Sequence, residues 1–84
     1  MMMVEVLFEK DSEGALHEHP HHQVSYVKEG TFEVTIGIES LILKEGDSFI
    51  VPTGIKHGVK ALEEGCLIDV FNPQREDFLV TRHI

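Results

Sequence analysis

Along this chain, short stretches of alternating apolar and polar residues are separated by Gly, Pro, Asp and Glu, and no helical period lasts beyond two turns. Alternation over four to eight residues marks a strand with one buried face. The pattern predicts eight strands, near Met2–Phe8, Ala15–His19, Gln23–Lys28, Thr31–Ile36, Ser40–Leu43, Ser48–Val51, His57–Ala61 and Cys66–Phe71. The segments Glu29-Gly30, Gly37-Ile38-Glu39, Glu45-Gly46-Asp47, Pro52-Thr53-Gly54 and Glu63-Glu64-Gly65 between them have turn chemistry. Eight short strands in one chain imply an all-β barrel or sandwich. Residues 72–84 are less informative: Glu76–Ile84 reads as a turn of helix, a last strand or an arm over a partner subunit.

Length and composition change this picture in three respects. Eighty-four residues make one domain, 1–84, whose core is thin, because a chain this short buries about 60–65% of the surface it exposes when unfolded. Burial against a second copy would help it, so a homodimer is expected. Seven basic against fifteen acidic side chains give a net charge of −8, which disfavours nucleic acid and anionic membrane surfaces as partners. A single cysteine, Cys66, no basic leader and no apolar stretch near the roughly 20 residues that span a bilayer point to a reducing, cytoplasmic setting.

The candidate chemistry lies in HEHPHHQ, residues 17–23, which places four histidines within six positions. On a strand, His17 and His19 project to one face while Glu18 points away. Pro20 then turns the chain, letting Gln23 open the next strand nearby, within reach of the same ion. Taken alone, His-x-His also arises by chance on exposed strands. A second segment, GDSFIVPTGIKHG at residues 46–58, changes the weighing: Gly46, Pro52 and Gly54 specify a turn that delivers His57 at the start of a strand. His21 and His22 are adjacent and so face opposite ways if extended; they read as loop histidines, and His83 as a tail residue.

Together the two segments resemble the paired motifs of the cupin superfamily, G-x5-H-x-H-x(3,4)-E-x6-G and G-x5-P-x-G-x2-H-x3-N. The second is matched at Gly46, Pro52, Gly54 and His57, and the first keeps its spacing at His17, His19, position 23 and Gly30. Three positions depart: Asp11 stands where the early Gly falls, Gln23 where Glu falls, and Ala61 where Asn falls. The Asp11 departure suggests a shortened amino-terminal region. The resemblance implies a small double-stranded β-helix, a jelly-roll cupin barrel, holding one divalent transition metal ion (Zn, Ni, Mn or Fe) through His17, His19, His57 and Gln23. With a neutral ligand set the ion would keep its full charge and act as a Lewis acid.

A third stretch, LEEGCLIDVFNPQREDFL at residues 62–79, is similar, like residues 19–37, to single-domain cupins of the pectin-degradation KdgF type. That likeness implies ring opening of 4,5-unsaturated uronates, the products of pectin and alginate lyases, to the linear 5-keto-4-deoxyuronate. By matched position it implies non-metal active-site roles for Asp69, Phe71 and Arg75. Period 2 independently places Leu67, Asp69 and Phe71 on one strand face. Asp69 could instead pair with Arg75 or face solvent, Phe71 could be ordinary core, and Arg75 a surface charge. The competing functions are a non-catalytic cupin binding a small sugar or acid, and a metal-dependent dioxygenase. In either of the first two readings the partner is a small anionic sugar or acid.

Overall fold

The computed structural model describes residues 1–17 and 22–72, with residues 15–17 as backbone. It contains β1 (Met2–Phe8), β2 (Glu13–His17), β3 (His22–Glu29), β4 (Thr31–Ile36), β5 (Glu39–Lys44), β6 (Ser48–Val51), β7 (His57–Ala61) and β8 (Gly65–Asn72). The predicted all-β chain of eight strands is therefore observed. Boundaries are corrected in four strands: β3, β5 and β8 each run one residue further at both ends than expected, and β2 begins at Glu13, two residues before the expected Ala15, its described part ending at His17. Glu13 and Gly14 give no apolar signal, yet both pair with β7, at Lys60 and Val59.

The strands form two four-stranded antiparallel sheets, ordered β1-β8-β3-β6 and β2-β7-β4-β5. Alternation decides what lies between them. On β3 the even-numbered positions are exposed while Gln23, Ser25 and Val27 are buried, and on β4 Phe32 and Val34 point inward. The buried cluster comprises Val27, Phe32, Val34, Phe49, Val51, Ala61 and Leu67, with Phe8, Ile36, Leu43 and Val59 packed against it. Phe8 meets Phe32 edge to face at 5.2 Å between ring centroids. Each fully buried apolar side chain of this size stabilises the fold by about 1.5–3 kcal/mol.

Backbone conformation explains two residues of the motifs and one departure from them. Gly30, in the β3–β4 turn, has φ 88°, and a Cβ there would come within 2.7 Å of the Glu64 carbonyl oxygen and 2.9 Å of Gly65 Cα. No other residue fits that approach. Gly54, φ 77°, closes the β6–β7 turn three residues before His57, where Ile55 N donates to Pro52 O at 3.3 Å. Asp11, where the motif has Gly, has φ 69°. It therefore adopts the left-handed conformation the glycine would take, which Asp tolerates better than most residues. Its amide donates to Ala61 O at 2.7 Å, and Ala61 N donates to Ser12 O at 2.9 Å. Two of the three motif departures, Asp11 and Ala61, thus meet in one backbone clasp.

Candidate functional site

Strands β3, β7 and β8 each run from the apolar core into a polar region. Along β3 the inward positions change from Val27 to Ser25 to Gln23, along β7 from Ala61 and Val59 to His57, and along β8 from Leu67 to Asp69 and Phe71. Register aligns them, with Ser25 opposite Asp69 and Gln23 opposite Phe71. Between the sheets lies a cavity of about 240 Å³ walled by Gln23, His57, Asp69 and Phe71, with Val6, Phe8, Val59 and Leu67 as its apolar lining. Gly14 borders it as well, where a Cβ would come within 3.3 Å of the Val59 side chain.

Four residues singled out in the sequence thus border one space: Gln23, His57, Asp69 and Phe71. The backbone of His17 lies opposite His57 in the β2–β7 ladder. His19 and Arg75 lie outside the described residues, as do His21 and His83. His22 heads β3 with its side chain exposed, in keeping with a position away from the interior. Among the described residues no three His, Cys, Asp or Glu side chains converge as a metal-binding group. Of the four expected ligands, only Gln23 and His57 have side chains among those described.

Hydrogen bonding fixes the orientation of each polar group. His57 is buried, and its Nδ1 lies 2.9 Å from the carbonyl oxygen of Ile55. A carbonyl only accepts, so Nδ1 carries a proton, and in the neutral form of the ring the lone pair lies on Nε2, which is fully buried. That tautomer is the one a metal requires of an Nε2 ligand. Ser25, with no exposed surface, donates its hydroxyl proton to Asp69 Oδ1 at 2.6 Å. An ionised carboxylate is an acceptor only, so the hydroxyl proton is spent there and Ser25 Oγ accepts from Gln23 Nε2 at 2.8 Å. The amide of Gln23 is oriented in consequence: its nitrogen is bound to Ser25, and its carbonyl Oε1 is the atom it can offer to a cation or substrate.

Ser25 was not singled out in the sequence. Its signal was nonetheless there, since period 2 from Gln23 to Val27 places the intervening Ser25 on the same inward face. A small hydroxyl between an amide and a valine marks no chemistry by itself. Its role follows from the neighbouring strand, which brings Asp69 beside it across 44 residues of sequence.

The donor set suits a divalent cation. An imidazole with a lone pair on Nε2 and an amide presenting its oxygen are neutral nitrogen and oxygen ligands, compatible with several first-row metals.

Comparison with known proteins gives consistent results. The family model described as "Cupin domain" matches residues 4–71. The chain is 49% identical over 81 residues to the pectin degradation protein KdgF of Dickeya dadantii (strain 3937), covering 94% of this chain and 74% of that protein. Among solved structures it is similar to an RmlC-like cupin from Shewanella frigidimarina NCIMB 400, with TM-score 0.90 and 48% identity over 92% of this chain and 69% of that one. It is also similar to KdgF from Halomonas sp., with TM-score 0.89 and 40% identity over 92% of this chain and 73% of that one.

Proposed function

This chain belongs to the cupin family, and from that premise we propose that it serves pectin degradation by opening the ring of 4,5-unsaturated uronates. The observation that carries the proposal is Asp69, a carboxylate on the cavity wall whose orientation is set by Ser25 and, through it, by Gln23. The similarity to two KdgF proteins supports the substrate class.

The substrate is at once a cyclic hemiacetal and an enol ether. Loss of the proton of the anomeric hydroxyl turns that C–O bond into the aldehyde carbonyl and breaks the bond between carbon 1 and the ring oxygen, leaving an enolate at carbon 5. Protonation at carbon 4 then gives the ketone, so no atom is gained or lost. Asp69 accepts the proton of the anomeric hydroxyl and returns one to carbon 4, and the Ser25 hydroxyl holds the carboxylate at the angle this transfer needs. The Phe71 ring packs against the sugar face. Arg75 binds the uronate carboxylate through its planar fork, overcoming the negative net charge at contact distance. The apolar lining of Val6, Phe8 and Leu67 excludes water from the enolate.

His57 and Gln23, together with His17 and His19, would hold the divalent cation. When bound, the cation supplies positive charge that favours the transition state, in which oxygen becomes anionic, over the ground state. The test is incubation of the full chain with an unsaturated galacturonate and a divalent ion, following loss of the ultraviolet absorbance of the conjugated double bond. Acceleration over buffer is expected. No acceleration with any of Zn, Ni, Mn or Fe would reject ring opening and leave the cavity as a binding site for a small sugar or acid.

A further inference from the structure

Among the described residues, His57 and Gln23 are the neutral groups of the cavity wall able to offer a cation a lone pair, and they differ in what holds them. His57 is a rigid ring whose Nδ1 is bound to the Ile55 carbonyl at 2.9 Å. Gln23 is a long, rotatable amide, and ordering such a side chain costs much of its rotamer freedom. Its two ends also differ in sign: Oε1 attracts a cation, whereas the hydrogens on Nε2 repel one. Half a turn about the last side-chain bond exchanges them. A ligand at position 23 therefore requires a neighbour that tells amide oxygen from amide nitrogen.

Ser25 makes that distinction. It has no exposed surface and stands across from Phe49 on β6 and Asp69 on β8, so its hydroxyl is satisfied inside the protein. The one proton of that hydroxyl goes to Asp69 Oδ1 at 2.6 Å, which leaves Ser25 Oγ to face Gln23 as an acceptor only. An acceptor binds the amide nitrogen, here at 2.8 Å, and rejects the amide oxygen. Turning the amide over would break this bond and set Oε1 against the lone pairs of the serine. The amide is thus ordered when the chain folds, and a cation that uses Oε1 meets a ligand already in place.

Given Gln23 as a cation ligand, the reading made above, we propose that Ser25 is the positioning residue that makes it one, and that the affinity of the cavity for a divalent cation is set in part by this hydroxyl. Ser25 then has a task beside holding the Asp69 carboxylate. The two tasks are separable, because cation binding is measured with no substrate present and does not require turnover.

Calorimetric titration of Zn into the chelator-treated full chain, at fixed pH and without substrate, tests this; the isotherm that belongs to the cavity is the one lost in His57→Ala. Gln23→Ala is expected to weaken that isotherm about 10-fold, and Ser25→Ala to weaken it by about the same factor. In the Gln23→Ala background, Ser25→Ala should have no further effect, because no amide remains to be oriented. Ser25→Thr keeps the hydroxyl and should bind nearly as wild type. Undiminished binding by Ser25→Ala where Gln23→Ala is weakened, or an equal loss from Ser25→Ala in both backgrounds, overturns the role of Ser25 and leaves Gln23 a ligand. Wild-type affinity in Gln23→Ala instead removes Gln23 from the ligand set and overturns both readings. Should Ser25→Ala not fold, Ser25→Cys, close in size with a weak donor and acceptor, takes its place with the same expectation.

Discussion

Two regions of one barrel interior are built from the same three strands and have opposite chemistry. Where β3, β7 and β8 contribute Val27, Ala61 and Leu67, the space is filled by Phe32, Val34 and Phe49. Two to four residues further along, the same strands contribute Gln23, Ser25, His57, Asp69 and Phe71, and a cavity remains. Strand geometry makes this possible: a step of two residues keeps a side chain on its face while moving it about 7 Å along the axis. The packed region carries stability and the polar region carries chemistry, so substitutions in the two should be separable.

The largest expected effect is in the packed region. Phe32→Ala removes a fully buried ring and its edge-to-face contact with Phe8, and should cost about 3–5 kcal/mol in denaturant unfolding. For a domain whose total stability is on the order of 5–15 kcal/mol, much of the chain would then be unfolded. Asp69→Asn, in the polar region, should lower the ring-opening rate by about 10²- to 10⁴-fold while leaving unfolding and metal content near wild type. Retained turnover would remove Asp69 from the proposed chemistry.

Ser25→Ala probes the boundary between the regions. A hydrogen bond to a charged group contributes about 1.5–3 kcal/mol, so turnover should fall roughly 10- to 100-fold with KM little changed. A matching loss of stability without loss of turnover would make Ser25 part of the packing instead.

Smaller effects belong to the periphery. Asp11→Gly should change stability by less than about 0.5 kcal/mol, whereas Asp11→Val should cost about 1–2 kcal/mol, since a β-branched residue fits the left-handed region poorly. The smallest effect is that of the Glu5–Lys28 pair. Lys28 holds the Glu5 carboxyl below its ordinary pKa through a hydrogen bond and charge attraction. A lowered folded-state pKa contributes stability above the unfolded value and loses it as pH falls through the folded one. Both side chains are exposed, so Glu5→Gln should leave the acid limb of the unfolding profile almost unchanged, with the residual difference smaller still in high salt. A large shift would mean that the pair is less screened by solvent than its exposure implies.

Much of this architecture was legible in the sequence because alternation and turn residues agree. Thr31–Ile36, Ser48–Val51 and His57–Ala61 stand within the predicted bounds, each delimited by Gly, Pro or Asp. The start of β2 was not legible, because Glu13 and Gly14 join the ladder through backbone hydrogen bonds that require no apolar side chain. Nor was the conformation of Asp11: a sequence shows that a glycine is missing, but only φ shows that its role has been taken over. In the site, Asp69 and Phe71 could be placed on one face by period 2, whereas the function of Ser25 depends on a neighbour from a distant strand.

The bond from Gln23 to Ser25 has a consequence for how such a site could evolve. Restoring glutamate at position 23 would set two carboxylates competing for one hydroxyl proton, and the loser would face a lone pair it could not satisfy. The amide therefore makes position 23 and the aspartate at 69 interdependent, so that a change at one should be tolerated only with a compensating change at the other or at Ser25. Histories of such barrels should record these three sites moving as a set.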